Sequence, residues 1–125
     1  MTITASTISL NVADPTASAR FLADTLGFTE QMSAEGFVSL AHPDAGMTVV
    51  FLAVGLASFK PVDKAGAAGE GLLVAFTVDN IDAEYERLRA AGVSIVTPIE
   101  TEPWGERYFQ MADPNGIIIQ LVQWV

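Results

Sequence analysis

The 125-residue sequence has no cysteine, a single histidine, and only six basic residues against fifteen acidic ones. Without cysteine there is no disulfide framework, no thiolate metal ligand and no cysteine nucleophile. One histidine without positioned partners makes neither a metal cage nor a catalytic pair. The shortage of Lys and Arg leaves a formal net charge of −9, and with it no electrostatic footprint for nucleic-acid phosphates or anionic membranes. Long hydrophobic runs are also missing. The most apolar stretch, Gly46 to Phe59, is interrupted by Thr48 and Ser58 and is too short to cross a bilayer. Met1-Thr2-Ile3-Thr4 offers neither the basic nor the apolar region of a signal peptide, so the chain is expected in the cytoplasm.

What is present is a large apolar fraction. Half of the residues are hydrophobic and 17% are charged, enough to bury the core of one small domain. Residues 6–13 alternate, with Ile8, Leu10 and Val12 apolar and Thr7, Ser9 and Asn11 polar, the period of a half-buried strand. Asp14-Pro15 then caps a helix over 15–26, with Phe21, Leu22 and Leu26 at helical spacing and Gly27 as its stop. Strand-like runs follow near 28–33, 36–41 and 46–54, and the pattern dissolves between Gly55 and Glu70. Leu73–Val78 then repeats the alternation of Thr7–Val12, and Asp79-Asn80-Ile81-Asp82 opens a helix over 80–91. Three further strands are expected near 93–97, 106–112 and 116–124, the last two joined by the turn Asp113-Pro114-Asn115-Gly116.

The chain therefore reads as an internal repeat of the α+β class. It has two βαβββ units, 1–54 and 71–125, joined by a linker over 55–70 in a single small domain. One helix covers one face of a four-stranded sheet, so Ile8, Leu10, Val12, Val74, Phe76 and Val78 are expected under the helices. The opposite faces are expected to belong to two curved mixed sheets that enclose a cleft. Parity assigns to it Thr7, Ser9, Asn11, Thr48, Val50, Leu52, Leu73, Ala75, Thr77, Ile118, Gln120, Val122 and Trp124.

Three pieces of the sequence resemble the vicinal oxygen chelate superfamily of glyoxalases, extradiol dioxygenases and bleomycin-resistance proteins. They are Asn11-Val12-Ala13-Asp14 leading into Phe21-Leu22 and Leu26-Gly27-Phe28; Phe76-Thr77-Val78-Asp79-Asn80-Ile81-Asp82; and Glu102-Pro103-Trp104-Gly105-Glu106-Arg107 with Asp113-Pro114-Asn115-Gly116. The resemblance implies that metal-dependent members carry His or Glu at the places occupied here by Thr7, Val50, Leu73 and Gln120. None of the four is a histidine or carboxylate, so no metal and no cofactor are expected. It is therefore the metal-free, drug-binding branch that the sequence resembles most. That branch implies a homodimer and sequestration of an antibiotic in self-resistance.

The expected ligand contacts are Thr7, Asn11, Val50, Leu52, Leu73, Gln120, Val122 and Trp124, with Trp104 at the rim. An apolar wall of this kind suits a hydrophobic or aromatic small molecule, and the acidic charge favours a cationic antibiotic through steering. Glu102 and Arg107 flank Trp104, and that loop reads equally as a charged lid or as a structural loop. Trp124 reads as a ligand contact or as a core or dimer contact. No nucleophile–base pair is visible, His42 sits in a turn, and the run Glu84, Glu86, Arg87, Arg89 reads as a solvated helix face. The competing class is a lyase, isomerase or dioxygenase of the same superfamily, which would need atypical metal ligands such as Glu100, Glu102 and His42, or metal-free acid–base chemistry.

Overall fold

A computed structural model describes all 125 residues, which fold as two compact units, Met1–Ala68 and Gly69–Val125. The first contains β1 (Thr7–Val12), α1 (Pro15–Leu26), β2 (Thr29–Ala34), β3 (Phe37–Ala41) and β4 (Thr48–Ala53), followed by a single 3-10 turn at Val62–Lys64. The second contains β5 (Val74–Thr77), α2 (Ile81–Ala90), β6 (Ile95–Thr101), β7 (Glu106–Ala112) and β8 (Ile118–Trp124). The sheets run β1-β4-β3-β2 and β5-β8-β7-β6. Each is mixed: the pairs β1–β4 and β5–β8 are parallel and the others antiparallel. The architecture is the α+β pair of β-α-β-β-β units that the alternation and the repeat predict.

The caps explain where the helices start. Asp14 is extended and its carboxylate accepts from the Ala17 amide, with Pro15 in the first turn, while Gly27 closes α1 at φ 75°. A left-handed residue there carries little penalty only as glycine. Asn80 caps α2 through the Ala83 amide. A second device fixes the same helix end. Gln123 on β8 accepts from the Ile81 amide at 3.0 Å and donates to the Asp79 carbonyl at 2.9 Å.

Registers place the cores. In the first sheet Ile8 pairs with Val49 and Val49 with Leu40, while Leu10 pairs with Phe51 and Phe51 with Val38. Paired residues share a face, so this set lies together, and all of it except the half-buried Ile8 is buried. In the second sheet the equivalent rows are Val74–Ile119–Met111 and Phe76–Leu121–Phe109. Phe109 meets the Tyr85 ring of α2 edge-on at 4.9 Å, which identifies the helix-covered side. Of the six residues expected under the helices, Leu10, Val12 and Val74 are fully buried and Ile8, Phe76 and Val78 half-buried.

One strand is longer than its sequence suggests. β6 runs from Ile95 through Pro98 to Thr101, where the sequence pattern suggests a strand near 93–97. β6 is an edge strand, where a missing N–H need not break a ladder, and its register slips between Thr97 and Glu100.

Candidate functional site

Each sheet has a second face that its own helix does not cover. In the first unit this face consists of the rows Thr7–Thr48, Ser9–Val50–Ser39 and Asn11–Leu52–Phe37. Thr7, Asn11, Val50 and Leu52 are therefore brought onto one surface. Thr7 is exposed, Leu52 half-buried, and Val50 and Asn11 buried. No ionisable side chain occurs in these rows.

Asn11 is the polar centre of that face. It is only 6% exposed. Its side-chain Nδ2 donates to the Gly66 carbonyl at 3.2 Å, and its main-chain carbonyl accepts from the Ala68 amide at 2.8 Å. The Gly55 amide donates to the Ala65 carbonyl at 2.9 Å, so the excursion between Gly55 and Ala68 is closed at its base. Asn11 Oδ1 is buried with no hydrogen-bond partner, which costs about 1–3 kcal/mol for a group of this kind.

The uncovered face of the second sheet is more polar than β8 alone suggests. Gln120 pairs with Gln110, Val122 with Tyr108 and Trp124 with Glu106, so β7 sets a polar side chain beside each expected contact. A chain of hydrogen bonds runs across it. Thr97 Oγ1 donates to Gln110 Oε1 at 2.7 Å, Gln110 Nε2 to Gln120 Oε1 at 2.9 Å, and Gln120 Nε2 to Glu106 Oε2 at 3.4 Å. The other oxygen of Glu106 accepts from the Trp104 indole N–H at 3.3 Å. Leu73, immediately before β5, is 47% exposed, Trp104 66% and Trp124 60%. Gln120 and Val122 are buried. Trp124 shares its face with Gln120 and Val122, as the parity of β8 requires.

Tyr108 is held between two acids. Its hydroxyl lies 2.7 Å from Glu100 Oε1 and 2.8 Å from Glu102 Oε1. The hydrogen bond to Glu100, then that to Glu102, pushes the phenol above its ordinary range. The neutral phenol is the form these carboxylates hold. Its contribution to folding is thus complete below the unfolded pKa of about 10 and is lost as pH rises through the higher folded value. In an alkaline titration followed at the tyrosinate absorbance band, the protein is expected to keep a late-ionising tyrosine that Tyr108→Phe removes. An unchanged titration curve in that variant would refute the bracketed hydroxyl.

Sequence reasoning grouped Arg107 with Glu102 as charges beside Trp104, and here the structure differs. Arg107 pairs with Gln123 and points to the helix side of the sheet. There Nη2 lies 2.7 Å from Asp82 Oδ1 and Nη1 donates to Thr101 Oγ1 at 2.8 Å. Its hydrogen bond holds Asp82 below the usual carboxylate range. Alternation along β7 is the physical reason, because Glu106 and Arg107 cannot share a face. The same alternation supplies Glu106, Tyr108 and Gln110, which sequence reasoning missed. Counting β7 against the parity of Gln120 would have found them. Glu84 and Arg87 form the expected helix pair at 2.6 Å, while Arg89 lies over the Tyr85 ring at 5.6 Å. His42 Nδ1 accepts from the Asp44 amide and its ring packs 5.3 Å from that of Phe28.

The four positions that metal-binding relatives would use do not fit a metal. Val50 and Leu73 are hydrocarbon, Thr7 is a neutral hydroxyl, and the Gln120 oxygen already accepts from Gln110. No group of three or more His, Asp or Glu side chains is arranged to hold an ion. No helix is long and apolar enough to cross a membrane.

A family model described as the Glyoxalase/Bleomycin resistance protein/Dioxygenase superfamily matches residues 4–121. An uncharacterised protein of Mycobacterium bovis is 35% identical over 57 residues, which are 46% of this chain and 38% of that protein. The match thus spans little more than a third of that curated relative's length. Among solved structures, a glyoxalase/bleomycin resistance protein/dioxygenase from Nocardioides superposes with a TM-score of 0.80 at 26% identity, covering 100% of this chain and 85% of that one. TnmS3, an antibiotic binding protein from Streptomyces sp. CB03234, gives 0.76 at 25% identity over 100% and 99%. A lactoylglutathione lyase from Agrobacterium tumefaciens gives 0.78 at 19% identity over 94% and 91%, a likeness of fold alone.

Proposed function

The chain belongs to the glyoxalase/bleomycin resistance protein/dioxygenase superfamily, and on that premise we propose that it binds and sequesters an aromatic small molecule, without metal, as an antibiotic-binding protein. The observation that carries this reading is the pairing on the uncovered face of the second sheet. Two exposed tryptophans, Trp104 and Trp124, stand beside the carboxylate of Glu106, which also accepts from Gln120. Indole rings offer stacking area and, with a nearby carboxylate, favour a ligand carrying positive charge. Neither ion pair of the protein involves Glu100, Glu102 or Glu106, so no basic side chain of the protein occupies these acids. The net charge of −9 acts in the same direction at longer range. The likeness to TnmS3 supports an antibiotic as the ligand class, and resistance in the host is the role that follows from sequestration.

A thermal-shift screen against cationic aromatic and peptide antibiotics tests the reading. At least one compound is expected to raise the unfolding temperature, with the effect weakening as salt is added. A stoichiometric transition metal in protein purified without chelator, or turnover of a glutathione adduct, would overturn it in favour of an enzyme.

The same reading includes a homodimer in the cytoplasm. Strands β1, β2, β5 and β6 end their sheets, and open edges with exposed apolar side chains such as Met32 and Val96 favour pairing with another copy. Sedimentation is expected to give twice the protomer mass of 13.3 kDa. A species of protomer mass at micromolar concentration would contradict it.

A further inference from the structure

The unpartnered oxygen of Asn11 sets a requirement that nothing else in its unit meets. The side chain is almost wholly buried on a face without ionisable groups, its nitrogen is committed to the Gly66 carbonyl, and its oxygen has no donor. A buried amide normally satisfies both ends. The missing partner is therefore a donor that the chain does not supply.

We infer that Asn11 Oδ1 is a recognition point for an N–H or O–H group of a small molecule seated on the uncovered face of the first sheet, and that the excursion between Gly55 and Ala68 is the lid over it. This rests on the small-molecule reading above and adds the chemistry of one contact: a neutral hydrogen-bond donor, where the second sheet offers carboxylates. Four features support it. The buried oxygen makes no contact with solvent, so a donor reaches it only if its cover moves. The excursion is the segment bonded to the same residue, through Gly66 and Ala68, and its base is held by one further bond, Gly55 to Ala65. Within the excursion Gly66 and Ala67, next to Asn11, are exposed and small, so moving that stretch sacrifices little packing. Around Asn11 the face consists of Val50, Leu52, Phe37 and Ser39, an apolar bed in which one hydrogen bond fixes orientation. Once the donor is in place, both ends of the carboxamide are satisfied with the lid closed, so binding and closure reinforce each other.

The test compares indole with N-methylindole, which share an aromatic body and differ in the N–H. Both are titrated into the isotope-labelled full chain and followed by amide NMR. Indole is expected to bind about fivefold more tightly, the ratio of one neutral hydrogen bond. It should shift the Asn11 side-chain amide together with the backbone amides of Gly66 and Ala68. Asn11→Leu should equalise the two affinities. If that variant does not fold, the comparison of the two probes on the natural chain still decides. Equal affinities, shifts that miss Asn11, or failure of indole to bind at millimolar concentration would each overturn the inference. So would a long-lived water at the Asn11 oxygen that indole leaves in place. These outcomes are separable from failure of the broader reading, because the antibiotic screen measures binding to the whole chain and does not depend on Asn11.

Discussion

Replacing Phe109 by alanine is expected to lower the unfolding free energy by about 3–5 kcal/mol, the range for deleting a fully buried phenyl ring. Phe109 has no solvent exposure, pairs with Leu121 in the sheet, and meets Tyr85 edge-on at 4.9 Å. α2 is short and fastens to its sheet through three buried residues, Ile81, Tyr85 and Leu88. Removing the ring takes away the surface on which Tyr85 rests, and an aromatic pair adds about 0.5–1.5 kcal/mol beyond its area. Domains of this size have about 5–15 kcal/mol in total, so the variant should sit near the edge of folding. The measurement is the urea midpoint at constant slope. Phe109→Leu, which refills much of the volume, should recover most of the loss. A loss below about 1 kcal/mol for the alanine variant would mean that α2 is not held where the register puts it.

The fold was legible because its signals are local. Asp14-Pro15 and Asn80 are caps whose side chains reach amides three residues on, and the alternation of Thr7–Val12 fixes which residues face the helix. The repeat supplied what local signals lack, since two similar β-α-β-β-β patterns imply two similar sheets. The candidate site was legible only strand by strand. Parity along β8 correctly groups Gln120, Val122 and Trp124, but what stands beside them depends on the register with β7. A slip of one residue there would exchange Glu106 and Tyr108 for Arg107 and Phe109. Arg107 stands near Trp104 in sequence, but alternation along β7 turns it to the other face, where it is bonded to Asp82. The Asn11–Gly66 contact was not legible at all. It joins residues 55 apart in sequence, and no periodicity encodes where an irregular segment returns.

A compound that stabilises the protein in the antibiotic screen is expected to quench its tryptophan fluorescence, and Trp124→Ala should weaken its binding by at least about tenfold, or 1.4 kcal/mol. Trp104 and Trp124 are the only tryptophans, so the signal reports on the uncovered face of the second sheet. Their roles should differ. The Trp104 indole N–H is bonded to Glu106, which fixes its ring and leaves its faces for stacking. Trp124 closes β8 and is 60% exposed, so its loss removes contact area for a ligand with little loss of core packing. The variant should therefore fold with a nearly unchanged urea midpoint. Glu106→Gln separates the charge from the stacking. It keeps an acceptor for the indole N–H while removing the negative charge, so it should weaken cationic ligands, flatten their salt dependence, and leave neutral aromatic ones nearly unaffected. If Trp124→Ala folds and binds the same compound as tightly as the natural chain, the ligand does not lie on this face, and the carboxylates beside it have another purpose.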